Sequence, residues 1–408
     1  MDLSYGAEAE AFRGEVRSFL AENWQPGERR KADLRDYIRA FRRQATQAGY
    51  LYRSVPKRYA GSEQPVDVIK AQVIREEFSR ARAAMEVGGN GINMTVPTLL
   101  EKGTEEQREL FIRGTIEGDY VWGQGYSEPG SGSDLASVRT KGELSADGSK
   151  WIINGQKIWT SQGAGATHMF MLVRTEPDAP KHDGITYLLI DLAQPGVTRR
   201  PIRQMTGAEG DGTFYEFFFD NAETPVSWQV GKRGQGWSVS RTTLKHERAA
   251  IGGADGLGAQ FRKLVDLVKE VGRIGDPLVR DRLGQIEGAV MAHRYTSFRL
   301  FSCQAAGEEP GKVQLMMKLL LTEIGHDIAL LAQDLIGEQG LVEPDEGGQI
   351  AGRGGKRGPN KWLDQIMGSL GNSIAGGASN IQRNIIAERG LGLPRDLALE
   401  IEATGAEN

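Results

Sequence analysis

The periodicity of apolar residues changes twice along this chain of 408 residues, and that change constrains its fold most. Residues 1–118 carry apolar side chains at helical spacing. Over residues 119–235, short β-type runs alternate with turn residues, and helical spacing returns in residues 236–408. The sequence therefore predicts three domains with these boundaries: a helical domain, a β domain and a second helical domain.

The middle domain is predicted from four runs that are rich in Ile, Phe, Tyr and Thr. These runs are Lys150–Lys157, His168–Thr175, Gly184–Leu192 and Thr213–Phe219. Turn residues separate the runs, so the pattern predicts a small barrel or a sandwich.

The flanking helical domains contain two specific signals. Thr104 stands three residues before Gln107 and ahead of apolar residues, which predicts a capping box at a helix start. Apolar residues recur every three or four positions from Val313 to Leu335, which predicts one long, deeply packed helix.

Composition excludes several classes of function. Lys and Arg number 50 against 54 Asp and Glu, a net charge of −4 that gives no long-range attraction to nucleic acid. No apolar run approaches the roughly 20 residues needed to span a bilayer. Cys303 is the single cysteine, so a reducing, cytoplasmic location is expected. The five histidines show no metal-ligand spacing, and no metal site is predicted.

A glycine- and serine-rich stretch, Gly123–Asp134, lies where the β domain begins. Such a loop lets backbone N–H groups converge on a ligand, and the hydroxyl groups of Ser127 and Ser133 add further donors. Taken alone, the stretch is equally compatible with a plain surface loop.

About 25 residues further on, Trp159 is followed by Thr160 and Ser161. A flat indole beside two hydroxyl groups suits stacking on, and hydrogen bonding to, a heteroaromatic ring such as a flavin. Taken alone, Trp159 is also compatible with an ordinary core tryptophan.

Together these segments resemble the acyl-CoA dehydrogenase family, and the likeness covers nearly the whole chain. Its strongest parts are Tyr126-Ser127-Glu128-Pro129 with Gly132-Ser133-Asp134, then Asn154–Trp159, then Gly377–Arg383. The resemblance implies an α+β, mainly helical fold. An N-terminal helical domain would precede a middle β-barrel and a C-terminal four-helix bundle.

The resemblance also implies bound FAD, a coenzyme A thioester substrate and removal of two hydrogens between Cα and Cβ, with hydride passing to flavin N5. Ser133 is also expected near the thioester end of the substrate. The residues that the resemblance assigns to the cofactor are Gln124, Tyr126, Ser127, Ser133, Trp159, Thr160, Ser161, Ala378 and Asn380.

The reaction needs a carboxylate to remove the weakly acidic α-proton. Many family members place a Glu where this sequence has Gly376, whose N–H is left to donate to the thioester carbonyl. A second branch places the base on a helix after the β domain, before an Arg, which here is Glu247 before Arg248. Glu247 is therefore the predicted base, with a raised pKa if it is buried beside an apolar acyl chain. Arg248 is expected to anchor the helix or the coenzyme A end of the substrate.

The family's usual FAD-pyrophosphate arginine is missing, and Arg273 or Arg282 is expected to replace it. Of the two, Arg282 is the predicted cofactor-binding residue. In another adenine-side segment Asp334 stands where Gln is usual. These departures resemble bacterial members that pair with a diverged sister subunit and act on bulky or steroid side-chain acyl-CoAs.

Three hypotheses follow from the resemblance. The first is an FAD-dependent acyl-CoA dehydrogenase that uses Glu247, passes electrons to an electron-transfer flavoprotein or similar acceptor, and forms a homotetramer or a heterotetramer. The second is another flavin reaction on the same fold, such as acyl-CoA desulfination. The third is a flavin-poor partner subunit of a heteromeric enzyme.

Overall fold

The computed structural model describes residues 5–27, 31–205, 214–251, 255–341 and 361–394. The chain divides into two compact units. The first lies within residues 1–202 and 214–247, and the second within residues 203–213 and 248–408. The three predicted domain boundaries remain a prediction.

The first unit begins with five α-helices. They are α1 (Ala7–Asn23), α2 (Lys31–Gln47), α3 (Val68–Arg80), α4 (Val96–Lys102) and α5 (Glu105–Glu117). The predicted capping box at the start of α5 is confirmed, since Thr104 accepts from the N–H of Gln107 and Gln107 accepts from the N–H of Thr104. These two reciprocal hydrogen bonds fix where α5 starts.

Eight strands follow and form one sheet in the order β6-β7-β3-β2-β4-β5-β8, with β1 paired to β4. They are β1 (Trp122–Gly125), β2 (Lys141–Leu144), β3 (Lys150–Ser161), β4 (His168–Arg174), β5 (Ile185–Asp191), β6 (Val197–Pro201), β7 (Phe214–Pro225) and β8 (Gln229–Val230). The four predicted runs correspond to β3, β4, β5 and β7.

The sheet of the predicted middle β domain is not closed into a barrel. The end strands β6 and β8 do not pair with each other in the described part of the chain, so the sheet is open. Other layers cover its centre instead: Phe170 and Leu172 of β4 pack with the core of the N-terminal helices, whereas Met169 and Met171 pack within the sheet domain. Because both faces of β4 are buried, closure is not required to protect it.

Six further helices complete the described structure. They are α6 (Gly236–Ile251), α7 (Asp255–Glu270), α8 (Pro277–Ala305), α9 (Met317–Ile336), α10 (Lys361–Ile374) and α11 (Ser379–Ile385). Four of them share a core through Leu264 of α7, Ile286 of α8, Ile328 of α9 and Trp362 of α10. The predicted C-terminal four-helix bundle and the mainly helical α+β class are confirmed.

The predicted long helix from Val313 is wrong at its beginning. Residues Gly311–Met316 form a 3-10 helix, and α9 starts at Met317. Pro310 precedes this segment and Gly311, with a φ of +66°, begins it, and together they prevent a regular α-helical entry.

Among the described helices, none is both long enough and apolar enough to cross a membrane.

Candidate active site

The two segments that the sequence singled out in the β domain lie side by side. The N–H of Ile158 donates to the carbonyl of Ser127 at 2.9 Å, and Thr160 Oγ1 donates to the carbonyl of Gln124 at 3.1 Å. The structure therefore brings the glycine-rich stretch and the Trp159 segment together. The Thr160 hydroxyl is buried and already used in this contact, so what Thr160 leaves for a ligand is its backbone.

Trp159 has an unusual backbone and an unusual exposure. Its φ is +63°, at a register shift in the pairing of β3 with β7 between Lys157 and Thr160. Its side chain is 55% exposed, although it meets the Phe214 ring edge-on at 5.9 Å. Ser161 is exposed as well, so an indole face and a hydroxyl group are offered by the same bulged end of β3.

Gly125 is required by close packing of β1 against the sheet. A Cβ at this position would lie 2.4 Å from Met169 Sδ and 2.8 Å from Met171 Cβ. The half-buried Gln124 and Ser127 are thereby held at the end of a strand that fits tightly on β4.

The loop after β1 is closed by two backbone hydrogen bonds between Glu128 and Ser131, at 2.8 and 3.0 Å. Ser133 follows this turn and is exposed. Asp134 accepts a hydrogen bond from Lys181 Nζ at 2.6 Å, which fixes the end of the loop and leaves Ser133 directed at the surface.

A buried ion pair, which was not predicted from the sequence, joins the glycine-rich stretch to the Trp159 segment. Lys157 Nζ donates to Glu128 Oε1 at 2.7 Å, and Glu128 also accepts from the N–H groups of Arg139 and Thr140. Burial raises the pKa of Glu128, but the Lys157 charge and these hydrogen bonds outweigh burial and hold the pKa below its ordinary value. Each of the two motifs contains one of these charged residues, and their opposite charges were the signal in the sequence that could have predicted the pair.

The Tyr126 side chain points into the core of the first unit. Its ring packs edge-on against Phe170 at 5.7 Å and Tyr187 at 6.3 Å. Its hydroxyl is buried, and no described group is placed to hydrogen-bond with it at normal geometry. Burial, then Tyr187 and the charge of Glu247, raise the pKa of Tyr126 well above its ordinary value.

Helix α6 carries the predicted base. Thr243 lies one turn before Glu247, is fully buried, accepts from Thr98 Oγ1 at 3.0 Å and lies 3.3 Å from the Tyr187 hydroxyl. Residues four apart share a helix face, so Glu247 continues the inward face that Thr243 begins. Glu247 is half-buried, and its charge is felt at Tyr126. Tyr187 and Thr243 were missed in the sequence because a Tyr in an apolar strand and a Thr in a helix carry no distinctive signal.

The two residues that precede Glu247 on α6 contact Glu101 of α4. His246 Nε2 lies 2.6 Å from Glu101 Oε1, and Lys245 Nζ lies 3.6 Å from the same oxygen. The side chain of Arg248, the other residue predicted here, lies outside the described part of the chain.

In the second unit, Gly376 and Gly377 follow α10 with φ values of +64° and +98°. Lys318 Nζ, on the buried side of α9, donates to the Gly377 carbonyl at 2.8 Å. Gly376 is thus held in a left-handed conformation that disfavours any side chain, the family's usual Glu included.

The remaining predicted cofactor residues also lie in the second unit. Ala378 precedes α11, and Asn380 is exposed on α11, where its Oδ1 accepts from Arg383 at 3.3 Å. Arg282 of α8 forms an ion pair with Asp334 of α9, the position where Gln is usual in the family. Its alternative, Arg273, pairs with Asp276 at 2.5 Å.

Comparison with known proteins identifies the class to which this architecture belongs. Residues 6–119, 123–222 and 234–391 match the N-terminal, middle and C-terminal domains of acyl-CoA dehydrogenase, respectively. The chain belongs to the acyl-CoA dehydrogenase family. It is an oxidoreductase of that class, acting on CH–CH groups with a flavin acceptor.

Individual relatives narrow the branch. The acyl-CoA dehydrogenase IpdE1 of Mycolicibacterium smegmatis is 37% identical, over 96% of this chain and 99% of its own. The solved Tcur3481-Tcur3483 steroid ACAD is 26% identical, with a TM-score of 0.74 over 97% of this chain and 100% of its own. The ChsE4-ChsE5 complex from Mycobacterium tuberculosis is 27% identical, with a TM-score of 0.74 over 97% of this chain and 100% of its own. The chain is similar to the branch that includes steroid enzymes.

FAD is the cofactor of this family, and the residues of the first unit fit it. An exposed Trp held at a positive φ is a costly arrangement that is retained mainly at functional positions. Here it offers a flat face for a heteroaromatic ring, beside the Ser161 hydroxyl and next to the Gln124–Ser127 segment. This donor set of hydroxyl, amide and backbone groups suits a flavin ring.

Proposed function

We propose that this enzyme removes the α-proton of an acyl-CoA thioester with Glu247 and yields a 2-enoyl-CoA. The observation that carries the proposal is the placement of Glu247 on the inward face of α6, one turn beyond buried Thr243 and within electrostatic reach of the Tyr126 hydroxyl. A carboxylate at the edge of an apolar core is suited to accept a proton from carbon.

Gly376 supports this assignment from the other unit. It has no side chain to act as a base, and its left-handed backbone makes a Glu unfavourable there. Its N–H is proposed to donate to the thioester carbonyl, where negative charge develops as the α-proton leaves. Ser133 and Arg248 are proposed to contact the substrate at its thioester and coenzyme A ends.

FAD, when bound, supplies the hydride acceptor for the β-hydrogen. Trp159 is proposed to stack against the flavin, with hydroxyl and backbone groups around it. The proposed contacts are Gln124, Tyr126, Ser127, Ser133, Trp159, Thr160 and Ser161 from the first unit, and Ala378, Asn380 and Arg282 from the second. Tyr126 would contribute through its backbone, because its ring is buried.

The acyl chain is proposed to be bulky, of the steroid side-chain type. The support is the similarity to a solved steroid ACAD over nearly the whole chain, together with the glycine at position 376 of this chain, where many family members carry Glu. Electron transfer is proposed to pass to an electron-transfer flavoprotein or similar acceptor in the cytoplasm.

A heteromeric assembly is the second candidate, and one specific observation favours it. Arg282, the proposed replacement for the FAD-pyrophosphate arginine, is engaged with Asp334. A flavin-poor subunit that depends on a sister chain is consistent with that pairing, and the ChsE4-ChsE5 structure is itself a complex of two chains. Protein that is colourless alone and gains flavin when mixed with a sister chain would support this assembly over a homotetramer.

Anaerobic flavin bleaching tests the base. Purified enzyme is mixed with straight, branched and steroid acyl-CoAs, and absorbance near the flavin band is followed. Glu247→Gln should keep FAD and lose the reduction rate by roughly 10²–10⁴-fold, the usual contribution of a general base. A Glu247→Gln enzyme that reduces as fast as the parent would show that the base lies elsewhere.

Glu101→Gln is the matched control. It removes one carboxylate that contacts α6 through His246 but places no change on the proposed base. It should reduce flavin at a rate close to that of the parent. Product analysis separates the desulfination hypothesis, since a 2-enoyl-CoA product excludes it.

A further inference from the structure

A cleft of about 1100 Å³ lies in the N-terminal helical part of the first unit. It is formed by α2, the turn around Gly61 and the carboxyl end of α5. None of its described lining residues belongs to the proposed flavin or thioester contacts. The cleft is therefore a separate feature of the first unit.

The described lining of the cleft is strongly basic, although the chain as a whole carries a net charge of −4. Six basic side chains line it, against the three acidic side chains of Asp36, Glu117 and Asp119. The basic residues are Arg35, Arg39, Arg42, Arg43, Lys57 and Arg113. The excess of positive charge is thus local to this cleft.

Three of the arginines already have carboxylate partners, and that of Arg35 is the adjacent Asp36, whose Oδ1 lies 3.9 Å from Arg35 Nε. Arg39 pairs with Asp119, and Arg43 Nη2 lies 2.9 Å from Glu117 Oε2. The latter two pairs cover the carboxyl end of α5, where the helix dipole favours positive charge. These two arginines are therefore explained by the fold.

Arg42, Lys57 and Arg113 are not explained in the same way. No carboxylate in the described parts of the chain lies within ion-pair distance of any of the three. They come from three different elements, α2, the turn before Gly61 and α5, and they converge on one cleft. Three uncompensated cations from separate elements in one concavity create a positive potential that a multiply charged anion would neutralise.

Arg42 occupies the deepest position of the three. Its Nε donates to the carbonyl of Met85 at 2.7 Å, and its terminal nitrogens have no hydrogen-bond partner among the described groups. Burial lowers the pKa of Arg42, although the guanidinium stays charged at neutral pH. A half-buried guanidinium whose planar fork is still available is suited to bidentate recognition of a phosphate.

We propose that this cleft binds an organic polyphosphate of nucleotide size through Arg42, Lys57 and Arg113. The cleft volume of about 1100 Å³ slightly exceeds the roughly 300–1,000 Å³ typical of small-molecule sites, so a ligand of nucleotide size fits. Apolar side chains of Ile38 and Ile116 line the same cleft and provide a surface for the flat part of such a ligand. A compact anion is favoured over an extended acidic peptide because the charges converge on one concavity.

Isothermal titration of ADP and of inorganic pyrophosphate into the FAD-loaded enzyme tests the proposal. No coenzyme A is added, because it carries an adenosine polyphosphate of its own and would compete for the cleft; the cleft variants described below distinguish this site from a substrate site that accepts adenosine phosphates. At about 150 mM salt, where surface attractions are screened beyond roughly 8 Å, both probes should bind with Kd values below about 1 mM. ADP should bind more tightly than pyrophosphate because it also contacts the apolar side chains.

Lys57→Gln/Arg113→Gln localises the binding. Both side chains are exposed, so the fold should be kept, and both affinities should fall by roughly tenfold or more. Lys102→Gln/Arg294→Gln removes the same charge from exposed positions outside the cleft and should leave both affinities unchanged. If the double variant in the cleft does not fold, Lys57→Gln alone is expected to weaken binding in the same direction.

Three results would overturn the proposal. The first is the absence of saturable binding of either probe. The second is equal affinity of the cleft variant and the parent. The third is binding of a glutamate-rich peptide, sensitive to the cleft variant, with no binding of ADP, which would assign the cleft to an acidic protein partner.

Discussion

Lys157 Nζ lies 2.7 Å from Glu128 Oε1, and both side chains are removed from solvent. The pair connects β3 to the segment that follows β1, so it joins the two motifs around the proposed flavin contacts. Lys157 also lies 3.4 Å from the Tyr126 carbonyl, which places a buried charge beside the backbone of that segment. The pair therefore helps to hold the backbones of the two motifs in position relative to each other.

Glu128→Gln should destabilise the protein by about 3–5 kcal/mol, because it leaves the Lys157 charge buried without a counter-charge. Urea unfolding followed by tryptophan fluorescence measures the change. Glu223→Gln is the matched control: Glu223 pairs with Lys150 at 2.6 Å on the exposed surface, and its loss should have a much smaller effect. Equal losses of stability from the two substitutions would mean that the buried pair contributes no more to the unfolding free energy than the exposed pair.

The same pair predicts an acid-sensitive stability. The pKa of Glu128 lies below its ordinary value in the folded protein, so the unfolded chain binds a proton more readily. Its contribution is present above the unfolded pKa of about 4.3 and is lost as pH falls below it, by at most about 1.4 kcal/mol per pH unit. The difference in unfolding free energy between the parent and Glu128→Gln should shrink between about pH 5 and pH 3. A difference that is constant over this range would contradict the direction of the pKa shift.

Sequence periodicity predicted the strands that are long and buried. β4 and β5 are mainly apolar and are buried along all but their last residue because both of their faces are covered, and β3 and β7 have twelve residues each. β8 has two residues, too few for any period to be visible. Whether the sheet closes depends on what covers its faces, and that is decided by the N-terminal helices rather than by the strands.

The candidate site, like the sheet, was predicted only in part from the sequence. The motifs located Trp159 and Ser127, and the structure places their segments side by side. The motifs did not reveal that the Tyr126 ring enters the core, because a Tyr next to a Ser in a loop carries no mark of its direction. The residues that pack around Tyr126, namely Tyr187 and Thr243, come from distant elements and meet through packing alone.

Tyr126→Phe should stabilise the protein by up to about 1–3 kcal/mol, because it removes a buried hydroxyl that has no hydrogen bond of normal geometry within the described structure. Urea unfolding measures the gain. Tyr187→Phe is the control: Thr243 Oγ1 lies 3.3 Å from the Tyr187 hydroxyl, so this substitution should not stabilise. A Tyr126→Phe protein that is less stable than the parent would show that the Tyr126 hydroxyl has a partner in solution.

Lys318→Met should lower kcat for the proposed reaction, because it removes the donor that holds the Gly377 carbonyl and, with it, the neighbouring Gly376 N–H. The loss of a hydrogen bond from a charged group should also cost about 1.5–3 kcal/mol in stability. Stopped-flow flavin reduction at saturating substrate measures the first effect and thermal unfolding the second. Lys318→Arg, which keeps a charged donor, should recover part of the rate.

A merely structural role for Lys318 would move stability alone. In that case Lys318→Met would unfold earlier but reduce flavin at the parent rate below its unfolding temperature. That result would remove Gly376 from the proposed thioester contacts without affecting the assignment of Glu247.

Trp159→Gly should separate cofactor binding from folding. The backbone at Trp159 has a φ of +63°, which costs a non-glycine residue about 1–3 kcal/mol and costs glycine almost nothing. FAD-free protein should therefore be at least as stable as the parent, after allowance for the lost contact with the Phe214 ring. The ratio of flavin to protein absorbance after gel filtration should fall, because the stacking face is gone.

Trp159→Ala removes the same face but keeps the backbone strain, so it should lose flavin and gain no stability. If Trp159→Gly retains FAD as tightly as the parent, the exposed indole is not the flavin's stacking partner, and the strain at this position needs another explanation.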